Sequence, residues 1–114
     1  SLRLEAEREL TIVRKALSGV ARVRGRYSLE VVADLLVGRG TGCLRYEGLD
    51  QVRTFGALRD HPRDWVLGVL ETCDAAGLIV DGGLTRSGDA VMRGLEVATV
   101  DLRNEPRSPG LSHP

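Results

Sequence analysis

Aromatic side chains are scarce in this sequence: Tyr27, Tyr46, Phe55 and Trp65 are the only four among 114 residues. A hydrophobic core therefore has to be assembled from Leu, Val, Ile and Ala. Cysteine is scarcer still. Cys43 and Cys73 stand thirty residues apart, which excludes a disulfide framework and points to a reducing compartment. The two histidines, His61 and His113, form no recognisable spacing with them, so the four ligands of a structural zinc site do not assemble. Cys73 falls in an apolar helical stripe and reads as a small core residue. No apolar run approaches the ~20 residues of a membrane-spanning helix. Acids and bases interrupt residues 1–20, leaving no signal-peptide core. Net charge is missing too, with 16 bases against 16 acids. At 42% hydrophobic and 28% charged residues, the expectation is one soluble cytoplasmic domain with no membrane partner.

The zero sum hides an uneven distribution. Between Arg14 and Arg63 there are ten bases and five acids; from Asp64 onward there are four bases and eight acids. A basic half joined to an acidic half suggests that one face meets an anionic partner, against the alternative that all these charges are simply solvated.

Residues 8–26 repeat Ile12, Val13, Ala16, Leu17, Val20 and Val23 at helical steps, with Arg14, Arg22 and Arg26 along one outer stripe. Ser28 is a good N-cap for a second helix over 29–36, ending near Gly38. The stretch Gly38-Arg39-Gly40-Thr41-Gly42 is a loop. It follows a helix rather than a strand and has no GKS or GKT, so it is not a nucleotide-phosphate loop. A helical turn over 50–55 closes at Gly56. The clearest helix start has His61 as cap, Pro62 first and Asp64 third, with Trp65, Val66, Val69, Leu70, Cys73 and Ala76 facing inward and Gly77 as the stop. Residues 78–80 and 84–85 form a hairpin around Asp81-Gly82-Gly83. A short helix over 87–93 follows, and 95–102 alternates like a strand. The fold expected is α+β, mainly α: a winged helix, that is, a helix-turn-helix with a short β-wing, in which helix 62–76 is the recognition helix. Its boundaries are 1–103, followed by a flexible Pro/Ser-rich tail at 104–114.

At this level of detail a family resemblance enters. Lys15-x-Leu17-Ser18, Arg22 and Arg26-Tyr27 resemble the opening of the winged helix in the RecQ C-terminal (RQC) domain of RecQ-family ATP-dependent DNA helicases. Leu36-x-Gly38, Leu44-Arg45, Gly48-x-Asp50, Phe55-Gly56, Arg59-Asp60 and Trp65 continue it in order. Gly77-Leu78-Ile79, Leu84-Thr85 and Arg93-Gly94 complete it, so the resemblance covers roughly residues 13–102. Departures are specific. The family's R-G-S is here Val37-Gly38-Arg39, its G-H-D-K is Gly48-Leu49-Asp50-Gln51, and its G-x-G is Gly56-Ala57-Leu58. Some members carry a longer wing with an aromatic tip proposed to part the duplex; this tip is an acid and two glycines.

The resemblance implies a monomeric, non-catalytic module that binds duplex or forked DNA without regard to sequence, attached to the helicase core of the same polypeptide. It implies no cofactor in the domain itself, with ATP and Mg²⁺ serving the parent helicase. In a bacterium it would sit at the nucleoid. The residues it points to for DNA binding are Arg22, Arg26, Arg39, Arg59 and Arg63. The start of helix 62–76 presents free N–H groups and a positive dipole end. Arg59 and Arg63 flank that end, Arg39 reaches it from the neighbouring loop, and the first helix adds Arg22 and Arg26. Arginine suits phosphate because its planar fork donates two parallel bonds. The plainer alternative leaves Arg22 and Arg26 as surface charges for solubility or in a salt bridge to Glu30, and pairs Arg59 and Arg63 with Asp60 or Asp64. Two other functions stay open at this point: a winged-helix transcription regulator, since Leu84-Thr85-x-x-Gly88 recurs after hairpins in such repressors, and a winged helix that binds protein rather than DNA. No nucleophile–base pair or carboxylate dyad suggests catalysis, and no ATPase lobe or cysteine-rich zinc module is expected in these residues.

Overall fold

The computed structural model describes residues 2–98, 100 and 102. The expected tail at 104–114 and its boundary at 103 lie outside the described residues. Helix α1, Leu2–Val23, starts earlier than the periodicity predicts and stops three residues sooner. Its inward face is the predicted one, with Ile12, Val13, Ala16, Leu17, Val20 and Val23 all buried. The helix ends where Arg24 turns into the left-handed region at φ 50, a rare conformation for a residue with a side chain.

Helix α2, Leu29–Val37, follows the Ser28 N-cap, whose extended backbone starts the helix without a side-chain bond. It stops at Gly38 in a Schellman motif: Arg39 N–H donates to the Asp34 carbonyl at 2.8 Å and Gly38 N–H to that of Leu35 at 3.2 Å. The glycine-rich loop then extends only to Thr41. Helix α3, Gly42–Tyr46, follows it and buries Leu44 alone. Of the helical turn predicted over 50–55, only a 3₁₀ turn at Leu49–Gln51 forms. The connecting loop is clipped to α2, because Gly56 and Leu58 N–H donate to the Leu35 and Leu36 carbonyls, each at 2.8 Å.

Helix α4, Arg63–Ala75, begins one residue later than expected. Pro62 rather than His61 occupies the cap, because its ring-locked φ of −63 with ψ 146 is the extended conformation a cap needs. The Val66 N–H makes the first intrahelical bond to the Pro62 carbonyl. His61 instead stacks on Trp65, with ring centroids 4.5 Å apart. Trp65, Val66, Val69, Leu70 and Cys73 are buried, and burial pushes the Cys73 thiol up to about 12. Helix α4 packs chiefly on α2, and both lean on α1. With aromatics so few, this three-helix core relies on fully buried Leu17, Leu35, Leu36 and Leu70, joined by Leu44 of α3, each contributing about 1.5–3 kcal/mol.

The wing consists of β1, Ile79–Val80, and β2, Gly83–Leu84, antiparallel with Ile79 opposite Leu84 and Val80 opposite Gly83. Gly83 therefore belongs to a strand, and the tip is only Asp81-Gly82. Both residues have positive φ, 50 and 79, as a two-residue type I′ turn requires. The tip is not free in solvent. It rests on the end of α1: a side chain begun at Gly25 would lie 3.5 Å from the Asp81 carbonyl, and one begun at Gly82 would lie 3.4 Å from Gly25 Cα.

Helix α5, Arg86–Met92, is capped by Thr85. The Thr85 hydroxyl accepts from Gly88 N–H at 2.9 Å and donates to the Gly77 carbonyl at 2.7 Å, so one side chain ties α5 to the end of α4. Beyond Gly94 the alternation from Leu95 does not become a strand. Among the described residues of 95–102 the chain is bend and coil. Its one sheet has two-residue strands that offer no ladder to extend, and Leu95 and Val97 stay exposed while Leu102 is buried. Three helices closed by a two-stranded wing make this a winged helix, α+β and mainly α.

Candidate nucleic-acid interface

The five arginines singled out from the sequence fall into two groups. Arg39 follows the end of α2, Arg59 reaches that end from the connecting loop, and Arg63 opens α4 beside Glu30 and Asp34 of α2. Gly38 packs against Gly56, and Val37, Gly38, Phe55, Gly56 and Arg59 line one small cavity there. Positive charge at this junction is balanced. Arg63 Nε donates to Asp34 Oδ1 at 2.6 Å, and its Nη2 to the Glu30 carbonyl at 3.3 Å. Asp64 stands 3.6 Å from Nη1. The bond to Asp34 and the charge of that carboxylate raise the Arg63 guanidinium above its ordinary value. Arg63 thus ties α4 to α2, through a carboxylate that the sequence reading did not pair with it. Arg59 turns back to donate to the Gly56 carbonyl at 2.9 Å. Arg39 is exposed, and its side chain has no hydrogen-bond or ionic partner among the described residues. With Asp60 and Asp64 nearby in the chain and Asp34 brought in by the fold, the start of α4 carries acidic as well as basic side chains.

The second group is different. Arg22 and Arg26 join Arg24 and Arg53 around an open cleft of about 830 Å³ between the C-terminal end of α1 and the segment after the 3₁₀ turn. Ser18, Leu49, Val52, Thr54 and Met92 supply other parts of its wall, and no acidic side chain among the described residues lines it. Arg26 is paired at the rim, its Nη1 donating to Glu47 Oε1 at 2.8 Å, not to Glu30. Arg22, Arg24 and Arg53 are exposed, and their side chains have no partner among the described residues. Four like charges converging on one concavity raise the local positive potential well beyond what a neutral chain would suggest.

Arg24 and Arg53 are absent from the sequence-derived set for identifiable reasons. A helix running to residue 26 puts Arg22 and Arg26 on one stripe and Arg24 off it. Ending α1 at Val23 removes that stripe, and the turn that follows brings all three to the cleft. Arg53 arrives from a different segment, which no local pattern reveals. The aromatic residues largely behave as expected. Trp65 is core, and Tyr27 and Phe55 pack against it partly buried. Burial, followed by the Glu47 carboxylate, raises the Tyr27 phenol. Tyr46 alone stands out, 89% exposed.

Among the described residues no group of three or more His, Cys, Asp or Glu could hold a metal ion, and no helix is long and apolar enough to cross a membrane. The family model for the RQC domain matches residues 9–108. No curated protein matches the sequence.

Proposed function

The chain belongs to the RQC domain family, whose members are non-catalytic accessory domains of RecQ helicases, and from that premise we propose that it grips DNA by its backbone phosphates. The helicase core it serves would do the unwinding, in replication, recombination or repair, with ATP and Mg²⁺ acting there and no cofactor in this domain. The observation that carries the reading is the cleft lined by Arg22, Arg24, Arg26 and Arg53. Guanidinium groups without protein partners are available to donate paired bonds to phosphate oxygens. Contacts of this kind fix position on DNA and carry no sequence information. Arg39, whose side chain is exposed and unpaired among the described residues, adds a further cation available to phosphate. Arg63 contributes by holding α4 in place rather than by meeting phosphate, since its fork is already engaged by Asp34.

Fluorescence anisotropy of a labelled duplex across a salt series tests this. Three to five phosphate contacts give a slope of log K against log salt of roughly −3 to −4.5. Arg53→Ala or Arg24→Ala flattens that slope by about one unit for any DNA sequence. Arg63→Ala leaves the slope unchanged while lowering the melting temperature. A wild-type domain that fails to bind duplex even at low salt overturns the DNA reading and favours a winged helix that binds protein.

A further inference from the structure

Helix α3 exposes an aromatic ring with no structural use. Only Leu44 of its five residues is buried, while Tyr46 is 89% exposed. Tyr46 is the one fully exposed aromatic among the described residues, the others being packed on the core. Its neighbours in the chain reach the basic cleft. The next residue, Glu47, is held at 2.8 Å by Arg26, which lines the cleft. Leu49, three residues on, forms part of the cleft wall. The side chain of Arg45, the preceding residue, has no hydrogen-bond or ionic partner among the described residues, and the residue is exposed. The backbone is open at Gly42, the first residue of this helix, and at Gly48, just beyond it: a side chain begun at either would meet nothing within 4 Å.

We propose that Tyr46 is a stacking platform for an unpaired base and that the adjoining cleft of Arg22, Arg24, Arg26 and Arg53 carries the phosphates of that same single DNA strand. This rests on the DNA-binding reading above and narrows it. A tract of cations beside an exposed aromatic is the combination that holds single strands without sequence preference, because every base has a π-face. A continuous duplex does not satisfy it, since the faces of its bases are covered by their neighbours. The wing tip, Asp81-Gly82, has no ring to offer a base. Stacking therefore falls to α3, where the Arg26–Glu47 ion pair fixes the helix end against the cleft.

The test compares a fluorescein-labelled oligothymidylate with a blunt duplex at low salt. Tyr46→Ala weakens oligothymidylate binding about tenfold and duplex binding less than about twofold, whereas Tyr46→Trp retains both. A fluorescent adenine analogue placed in the single strand is quenched on binding the wild type and not on binding Tyr46→Ala. Equal oligothymidylate affinity for the wild type and Tyr46→Ala overturns the stacking role. So does an equal loss on both DNAs, or a wild type that binds duplex alone. Failure to bind either DNA instead overturns the broader reading, so the two failures are distinguishable.

Discussion

Removing the Trp65 ring tests whether the recognition helix is held by its apolar face. The ring heads that face of α4, is 8% exposed, and carries His61 stacked at 4.5 Å on its other side. A buried aromatic side chain withdraws on the order of 150–250 Å² from water. At about 25 cal/mol per Å², and with the wall collapsing only partly into the space left, Trp65→Ala costs about 3–5 kcal/mol. In a domain of this size that lowers the melting temperature by roughly 15–30 °C. Far-UV circular dichroism during heating measures it, with Trp65→Phe expected to lose much less. Since Trp65 is the sole tryptophan, the emission maximum of the wild type reports burial independently and shifts to the red on unfolding. A melting temperature that moves by less than about 2 °C in Trp65→Ala, with red-shifted emission in the folded wild type, would refute the packing argument and put the ring at the surface.

Thr85 and Gly88 offer two further tests at the junction of wing and helix. Thr85→Ala removes both the cap bond to Gly88 and the bond to the Gly77 carbonyl. It costs about 1–2 kcal/mol in urea denaturation, while Thr85→Ser keeps most of that; equal losses in the two variants would show that the hydroxyl is not responsible. Gly88→Ala drives a methyl group into the Leu78 backbone carbonyl, which no rotamer change relieves. The expected loss is about 1–3 kcal/mol or more, and an unchanged urea midpoint would mean that α5 and the wing are not in contact there.

What the sequence reveals and what it hides divide by range. Gly38, Gly77 and the glycines after Asp81 act within a few residues of themselves, so helix stops and a tight turn are legible from order alone, whereas Thr85, read as part of the hairpin, caps α5. The apolar stripes of α1 and α4 are legible for the same reason, because periodicity is a local property. The alternation at 95–102 misleads because a strand needs a partner, and whether one is available is settled by the rest of the fold. Pro62 takes the cap from His61 because a backbone torsion outweighs a side-chain preference. At the candidate site, Arg63 meets Asp34 across 29 positions, and Arg53 joins Arg22, Arg24 and Arg26 only through tertiary packing. Residue types predicted the chemistry of that surface; geometry decided which copies take part.

The contact between the wing tip and Gly25 couples two features that are separate in sequence. Asp81-Gly82 lies against the turn that aims Arg24 and Arg26, so the two share one joint. A longer tip, whether acquired by insertion or grafted by design, has to displace that turn and with it two of the four cations of the cleft. Length in the wing and charge in the cleft are thus traded against each other. A variant of this domain that gains a duplex-parting tip is expected to hold the loose strand less firmly, unless the end of α1 is rebuilt at the same time.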